Sequence, residues 1–263
     1  MSNFVSRVLV TVVGVPVVLY LVYRGGWWLF GLAAFAALVA LHELYVMARS
    51  LRPLVLAGYA GALATLLGAE LGGAEWMVGG FMLTLVLAFL LYGIAETRQP
   101  ATVTMSTTIL GTSWIALGLA HLLLLREFPD HGRLAVFTVL LAVFADDTAA
   151  YLVGRLVGRH KLAPSLSPGK TWEGFLAGTL AAIAVCFFAL YEQSFLTIPE
   201  SIALGAAVAL AGAAGDLIES ALKRDLQVKD SGALLGGHGG MLDRIDSLLF
   251  AAVAAFYVVI AVA

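Results

Sequence analysis

The chain has 263 residues, 61% of them hydrophobic and 12% charged, with a formal net charge of −2 and a mean hydropathy of +0.97. Soluble domains carry about 25% charged residues, so this composition excludes one and describes an all-α, polytopic integral membrane protein. The slight acidity excludes a nucleic-acid partner, and the single cysteine, Cys186, excludes an intrachain disulfide and a cysteine metal site.

About 20 apolar residues cross the hydrocarbon core. That ruler predicts nine transmembrane helices, at 8–23, 27–47, 53–71, 76–95, 103–125, 134–153, 175–195, 202–222 and 247–262. The first has no small-residue cleavage site after its apolar run and reads as a retained helix rather than a secretory signal. Trp27, Trp28 and Trp76 stand at span starts, where an aromatic belt would place them. Glu43, in ALHELYVMA, reads as a paired or interface carboxylate, with a substrate-channel group as the alternative, and His121 as a helix-end polar group. No internal repeat or low-complexity linker divides the chain, so one membrane-embedded domain is expected, with N-terminal spans over 1–125 and the polar motifs over 134–263.

Lysine and arginine accumulate on cytoplasmic loops. Grouping the N-terminus with the even-numbered loops puts 12 basic residues on one side: Arg7, Arg49, Arg52, Arg98, Arg155, Arg159, Lys161, Lys170, Lys223, Arg224, Lys229 and Arg244. The other side holds three, Arg24, Arg126 and Arg133. A cytoplasmic N-terminus, cytoplasmic charged loops and an external C-terminus are expected.

The sixth span runs into FADDTAAYLVGRLVGRHKLAPSLSPGKTWEGF. Asp146 and Asp147 stand inside an apolar run, where each charge costs about 2.5 to 3.5 kcal/mol. Downstream, Ser167, Gly169, Lys170 and Thr171 form a small basic turn before a helix start, the setting of an anion site. The GxxxxGK[ST] spacing of a Walker loop is missing, because no glycine stands five residues ahead of Gly169.

The densest charge lies in 215–247, GDLIESALKRDLQVKDSGALLGGHGGMLDRIDS. If the preceding helix continues, Asp216, Glu219, Ser220 and Lys223 fall at i, i+3, i+4 and i+7 and share a face. Asp243 and Asp246 are spaced i, i+3 at the start of the last apolar run. The glycine-rich stretch between them can bring backbone N–H groups close to anionic oxygens. Oxygen-only acidic ligands suit magnesium, and Lys223, Arg224, Lys229 and Arg244 suit phosphate oxygens. Together they point to metal-assisted phosphoryl or nucleotidyl chemistry.

The 27 residues at 220–246, SALKRDLQVKDSGALLGGHGGMLDRID, closely resemble the signature of phosphatidate cytidylyltransferases, the CDP-diacylglycerol synthases: S-x-L-K-R, four residues, K-D-x-G, then P-or-G-x-H-G-G-x-x-D-R-x-D. DTAAYLVGR from Asp147 and SPGKTWEGF from Ser167 resemble that family's other blocks, so the likeness covers the C-terminal half. Gly236 stands where the family often has proline, and Ala177 where it often has glycine.

The resemblance implies transfer of the cytidylyl group of CTP to phosphatidic acid, with magnesium and release of pyrophosphate, and it makes 134–263 the catalytic half. On it, Asp216 and Asp243 are assigned to the metal, with Asp246 and Asp147 as further or supporting carboxylates. Lys223, Arg224, Lys229 and Arg244 are expected to hold phosphates, with His238, Gly239 and Gly240 closing over them. Ser167, Lys170, Thr171 and Ser220 are expected as substrate contacts, with Glu219 and Asp230 orienting the bases. The family also leaves room for a second, monovalent cation and for a homodimer. The cell membrane is the expected location, since the lipid lies in it and CTP in the cytoplasm. A rival reading, a secondary transporter relaying protons through Asp146, Asp147, Asp216 and Glu219, leaves the basic loops and the HGG segment unexplained.

Overall fold

The computed structural model describes residues 3–95, 99–190, 195–232 and 239–262. A chain this apolar must satisfy its backbone N–H and C=O groups internally, which favours continuous helices. The helices in order are α1 (Asn3–Arg24), α2 (Gly26–Met47), α3 (Val55–Ile94), α4 (Ala101–Gly111), α5 (Leu117–Arg126), α6 (Gly132–Val157), α7 (Trp172–Leu190), α8 (Ile198–Asp225) and α9 (Leu242–Val262). A π-helical turn, Thr112–Ala116, joins α4 to α5. Among the described residues, seven helical segments are long and apolar enough to cross a membrane, Ala101–Arg126 counting as one. The fold is therefore all-α and polytopic, and two of the expected spans, 53–71 and 76–95, overlap the single 40-residue α3.

By its contacts the chain forms two units. One comprises Met1–Leu124 with Leu226–Ile245, the other Leu125–Asp225 with Asp246–Ala263.

In the first unit α3 doubles back at Gly73, whose φ of 69° and ψ of −155° leave the helical region. A side chain there would be strained, so glycine sets the turn. The two arms then touch through small residues: the Thr84 side chain lies over Gly61, and Gly80 meets the backbone of Ala64 and Thr65. Such contacts replace the hydrophobic drive that lipid removes. Tyr45 of α2 lies against Gly58 and donates its hydroxyl to the Thr108 carbonyl at 3.1 Å, near the start of the π turn. Trp27, Trp28 and Trp76 are exposed on the protein surface, and the Arg24 guanidinium stacks over Trp28 at 5.6 Å. His121 is buried, its Nδ1 2.7 Å from the Leu117 carbonyl oxygen.

In the second unit α7 buries Gly174, Gly178, Ala182, Cys186 and Leu190, a stripe at four-residue spacing. That ridge lets neighbouring backbones approach closely. Gly178 faces Asp146 of α6, Gly205 of α8 meets the Ile183 backbone, and Gly215 meets the Asp246 carbonyl and Phe250 of α9. Between α6 and α7 the basic turn opens into a two-stranded antiparallel hairpin, β1 (Lys161–Ala163) and β2 (Ser167–Thr171), with Lys161 opposite Thr171.

Candidate active site

The polar face read from the spacing on α8 is present in the second unit. Ser220 Oγ donates to Asp216 Oδ1 at 3.4 Å, and Lys223 Nζ donates to Glu219 Oε2 at 2.7 Å. Close approach of α9 at Gly215 brings Asp246 to the same place, and Asp216, Glu219 and Asp246 each offer a carboxylate oxygen within 4.8 Å of the others. Glu219 and Asp246 are buried and Asp216 is half-buried.

Three carboxylates so close repel one another, and two ammonium groups offset them. Lys170 of β2 lies 2.6 Å from Asp216, and Lys223 is bonded to Glu219. Asp147, exposed on α6, and Asp216 both exert their charge on Asp246. The donors are all oxygens from flexible acidic side chains, which is the set a hard divalent cation such as magnesium takes. The residues therefore fit the metal, with Glu219, which the family resemblance had assigned to orienting the bases, as a member of the cluster.

The hairpin delivers Lys170 because both its ends are fastened. Thr171 is buried and its hydroxyl accepts the Gly174 N–H at 3.2 Å, an N-cap for α7. The Glu173 carboxylate accepts the Arg159 N–H at 3.1 Å and lies 2.7 Å from His160 Nδ1, holding the approach to β1. Arg224 Nε donates to the Leu166 carbonyl at 3.4 Å, tying the hairpin tip to the end of α8. Ser167 is half-buried at the start of β2.

The remaining signature residues belong to the first unit. Lys229 and Arg244 are exposed, and His238 lies outside the described residues. Asp243 Oδ2 accepts the Gly240 N–H at 2.8 Å and the Ser231 N–H at 3.1 Å. Gly239 has φ 80° and Gly240 is buried against Ser231, so glycine is required at both. Glu43 of α2 receives hydrogen bonds from Ser231, Met241 and Leu242. Its only sequence signal was a carboxylate inside an apolar run.

Long apolar helices that carry a largely buried carboxylate cluster flanked by lysines define an integral membrane protein with side chains able to hold a cation beside anionic groups. The chain belongs to the cytidylyltransferase family, whose model matches residues 5–262. It is 33% identical over 264 residues to the phosphatidate cytidylyltransferase of Mycobacterium bovis, covering 94% of this chain and 84% of that one. It is 32% identical over 249 residues to the phosphatidate cytidylyltransferase of Staphylococcus haemolyticus, covering 93% and 94% of the two chains. With the enzyme of that name from Mycobacterium leprae it shares 40% identity over 155 residues, 57% of this chain and 48% of the other.

Proposed function

We propose that the protein transfers the cytidylyl group of CTP to phosphatidic acid, producing CDP-diacylglycerol and pyrophosphate for phospholipid synthesis. The grouping of Asp216, Glu219 and Asp246 beside Lys170 and Lys223, in a chain of this family, carries the reading.

A phosphate oxygen of the lipid attacks the α-phosphorus of CTP in line; the bond from that phosphorus to the β-phosphate's bridging oxygen breaks, and pyrophosphate takes the electron pair. No protein nucleophile is needed, so the side chains position the reactants and offset charge. Lys170 and Lys223 supply positive charge at the carboxylates, and Arg224, Lys229 and Arg244 bind phosphate oxygens. Ser167, Ser220 and Gly239 contact the substrates, with Gly240 keeping its N–H on Asp243, Thr171 holding the hairpin that carries Lys170 and His238 serving the reacting phosphates. Asp216, Glu219 and Asp246 would hold magnesium, with Asp147 of the same unit as a further oxygen donor, while Asp243 organises the backbone at Ser231 and Gly240 in the first unit. When bound, magnesium polarises phosphate oxygens and offsets the charge that develops on them.

CTP is cytosolic and the lipid is membrane-borne, so the reaction belongs at the inner face of the cell membrane, with the N-terminus inside and the C-terminus outside. The test is pyrophosphate release from CTP by the detergent-solubilised full chain. Release should require phosphatidic acid, stop with EDTA and return with added magnesium. Release driven by another lipid phosphate but not by phosphatidic acid would change the acceptor; none with any lipid phosphate would end the proposal.

A further inference from the structure

A carboxylate in a membrane-spanning helix is costly unless donors meet it, and Glu43 is met on both oxygens. Oε1 accepts the Met241 N–H at 3.0 Å; Oε2 accepts the Leu242 N–H at 2.9 Å and the Ser231 hydroxyl at 3.2 Å. The residue is 5% exposed. Its partners lie almost 200 positions along the chain, 188 for Ser231 and 199 for Leu242.

Ser231 links two carboxylates. Its hydroxyl donates to Glu43 while its N–H donates to Asp243. Asp243 takes its other backbone hydrogen bond from Gly240, the residue just before Met241. Gly232 and Gly240 both lie against the Glu43 carboxylate, where a Cβ on either would collide with it. The Ser231 and Gly240 backbone donors to Asp243 therefore sit on segments that Glu43 holds. The charge also stands at the start of α9, where N–H groups lack helical partners and negative charge is favoured.

We propose that Glu43, which lies outside the family signature, is a positioning residue. Through Ser231 and the first N–H groups of α9 it fixes the Asp243 carboxylate and the backbone that carries Arg244. Its catalytic consequence rests on the cytidylyl-transfer reading; its hold on the backbone does not. A carboxylate that merely capped α9 would affect stability and leave the kinetic constants alone.

The test uses the full chain in detergent with Glu43→Gln, Glu43→Asp, Ser231→Ala and the Glu43→Gln/Ser231→Ala double variant. Glutamine replaces one acceptor oxygen with an NH2 group aimed at N–H donors. In Glu43→Gln, the amides of Ser231, Gly240, Met241 and Leu242 should exchange with deuterium about tenfold faster, with the other helices unchanged. kcat/KM for CTP should fall about tenfold or more, as when supporting groups around a site are removed. Glu43→Asp should restore part of the loss. Ser231→Ala should reproduce the loss in smaller measure, and the double variant should be no worse than Glu43→Gln, because coupled residues are not additive. Wild-type exchange at those amides in Glu43→Gln overturns the proposal, and so does faster exchange with unchanged kcat and KM. If the wild-type chain releases no pyrophosphate, the cytidylyl-transfer reading fails instead, and exchange at Ser231 still decides whether Glu43 holds the backbone.

Discussion

Lys170 Nζ lies 2.6 Å from Asp216 Oδ2, joining the hairpin between α6 and α7 to the polar face of α8. Both side chains are at most about one-third exposed, 23% and 33%. The ammonium therefore lowers the negative potential of the carboxylate cluster with only partial screening. In Lys170→Met the cluster becomes more negative: manganese binding, followed by electron paramagnetic resonance, should tighten about tenfold while turnover drops about tenfold or more. Unchanged metal affinity would show that Lys170 does not act on the cluster.

The three grouped carboxylates should each matter more to turnover than to folding. Asp216→Asn, Glu219→Gln and Asp246→Asn should each reduce pyrophosphate release by about a hundredfold or more, with the helical circular dichroism spectrum and the elution volume in detergent unchanged. Asp243→Asn should also abolish turnover, and since a neutral amide oxygen holds the Ser231 and Gly240 N–H groups less strongly than the carboxylate does, it should speed exchange at both. Wild-type rates in Asp216→Asn would place the cation elsewhere.

Close helix packing in the second unit depends on the missing side chain at Gly178, which faces Asp146 across α6 and α7. Gly178→Val should overpack this contact and cost about 1 to 3 kcal/mol, read as a lower midpoint of thermal unfolding in detergent. The same substitution at Gly79, where a Cβ meets open space, is the control and should change the midpoint little.

The distribution of basic residues sets the expected orientation. Reporter fusions at the two termini should show the N-terminus in the cytoplasm and the C-terminus outside. Both termini on one side would require an even number of crossings and a different topology.

Helical membrane character, the family signature and the shared face of Asp216, Glu219, Ser220 and Lys223 can all be read along the chain, because hydropathy and the 3.6-residue period are local properties. The β1–β2 hairpin escapes such a reading: SPGKT is short and polar, and its pairing with Lys161–Ala163 depends on Glu173, Thr171 and Arg224 holding its ends. Glu219 joins Asp216 and Asp246, rather than only orienting a base, because Gly215 lets α9 approach α8. Glu43 is the clearest case. Residue order marks it as an expensive charge in an apolar helix and says nothing of its partners, since Ser231 and Leu242 reach it only once helices distant in the chain have been brought together. Local pattern names the residues able to do chemistry, whereas contacts across long sequence separations select which of them meet.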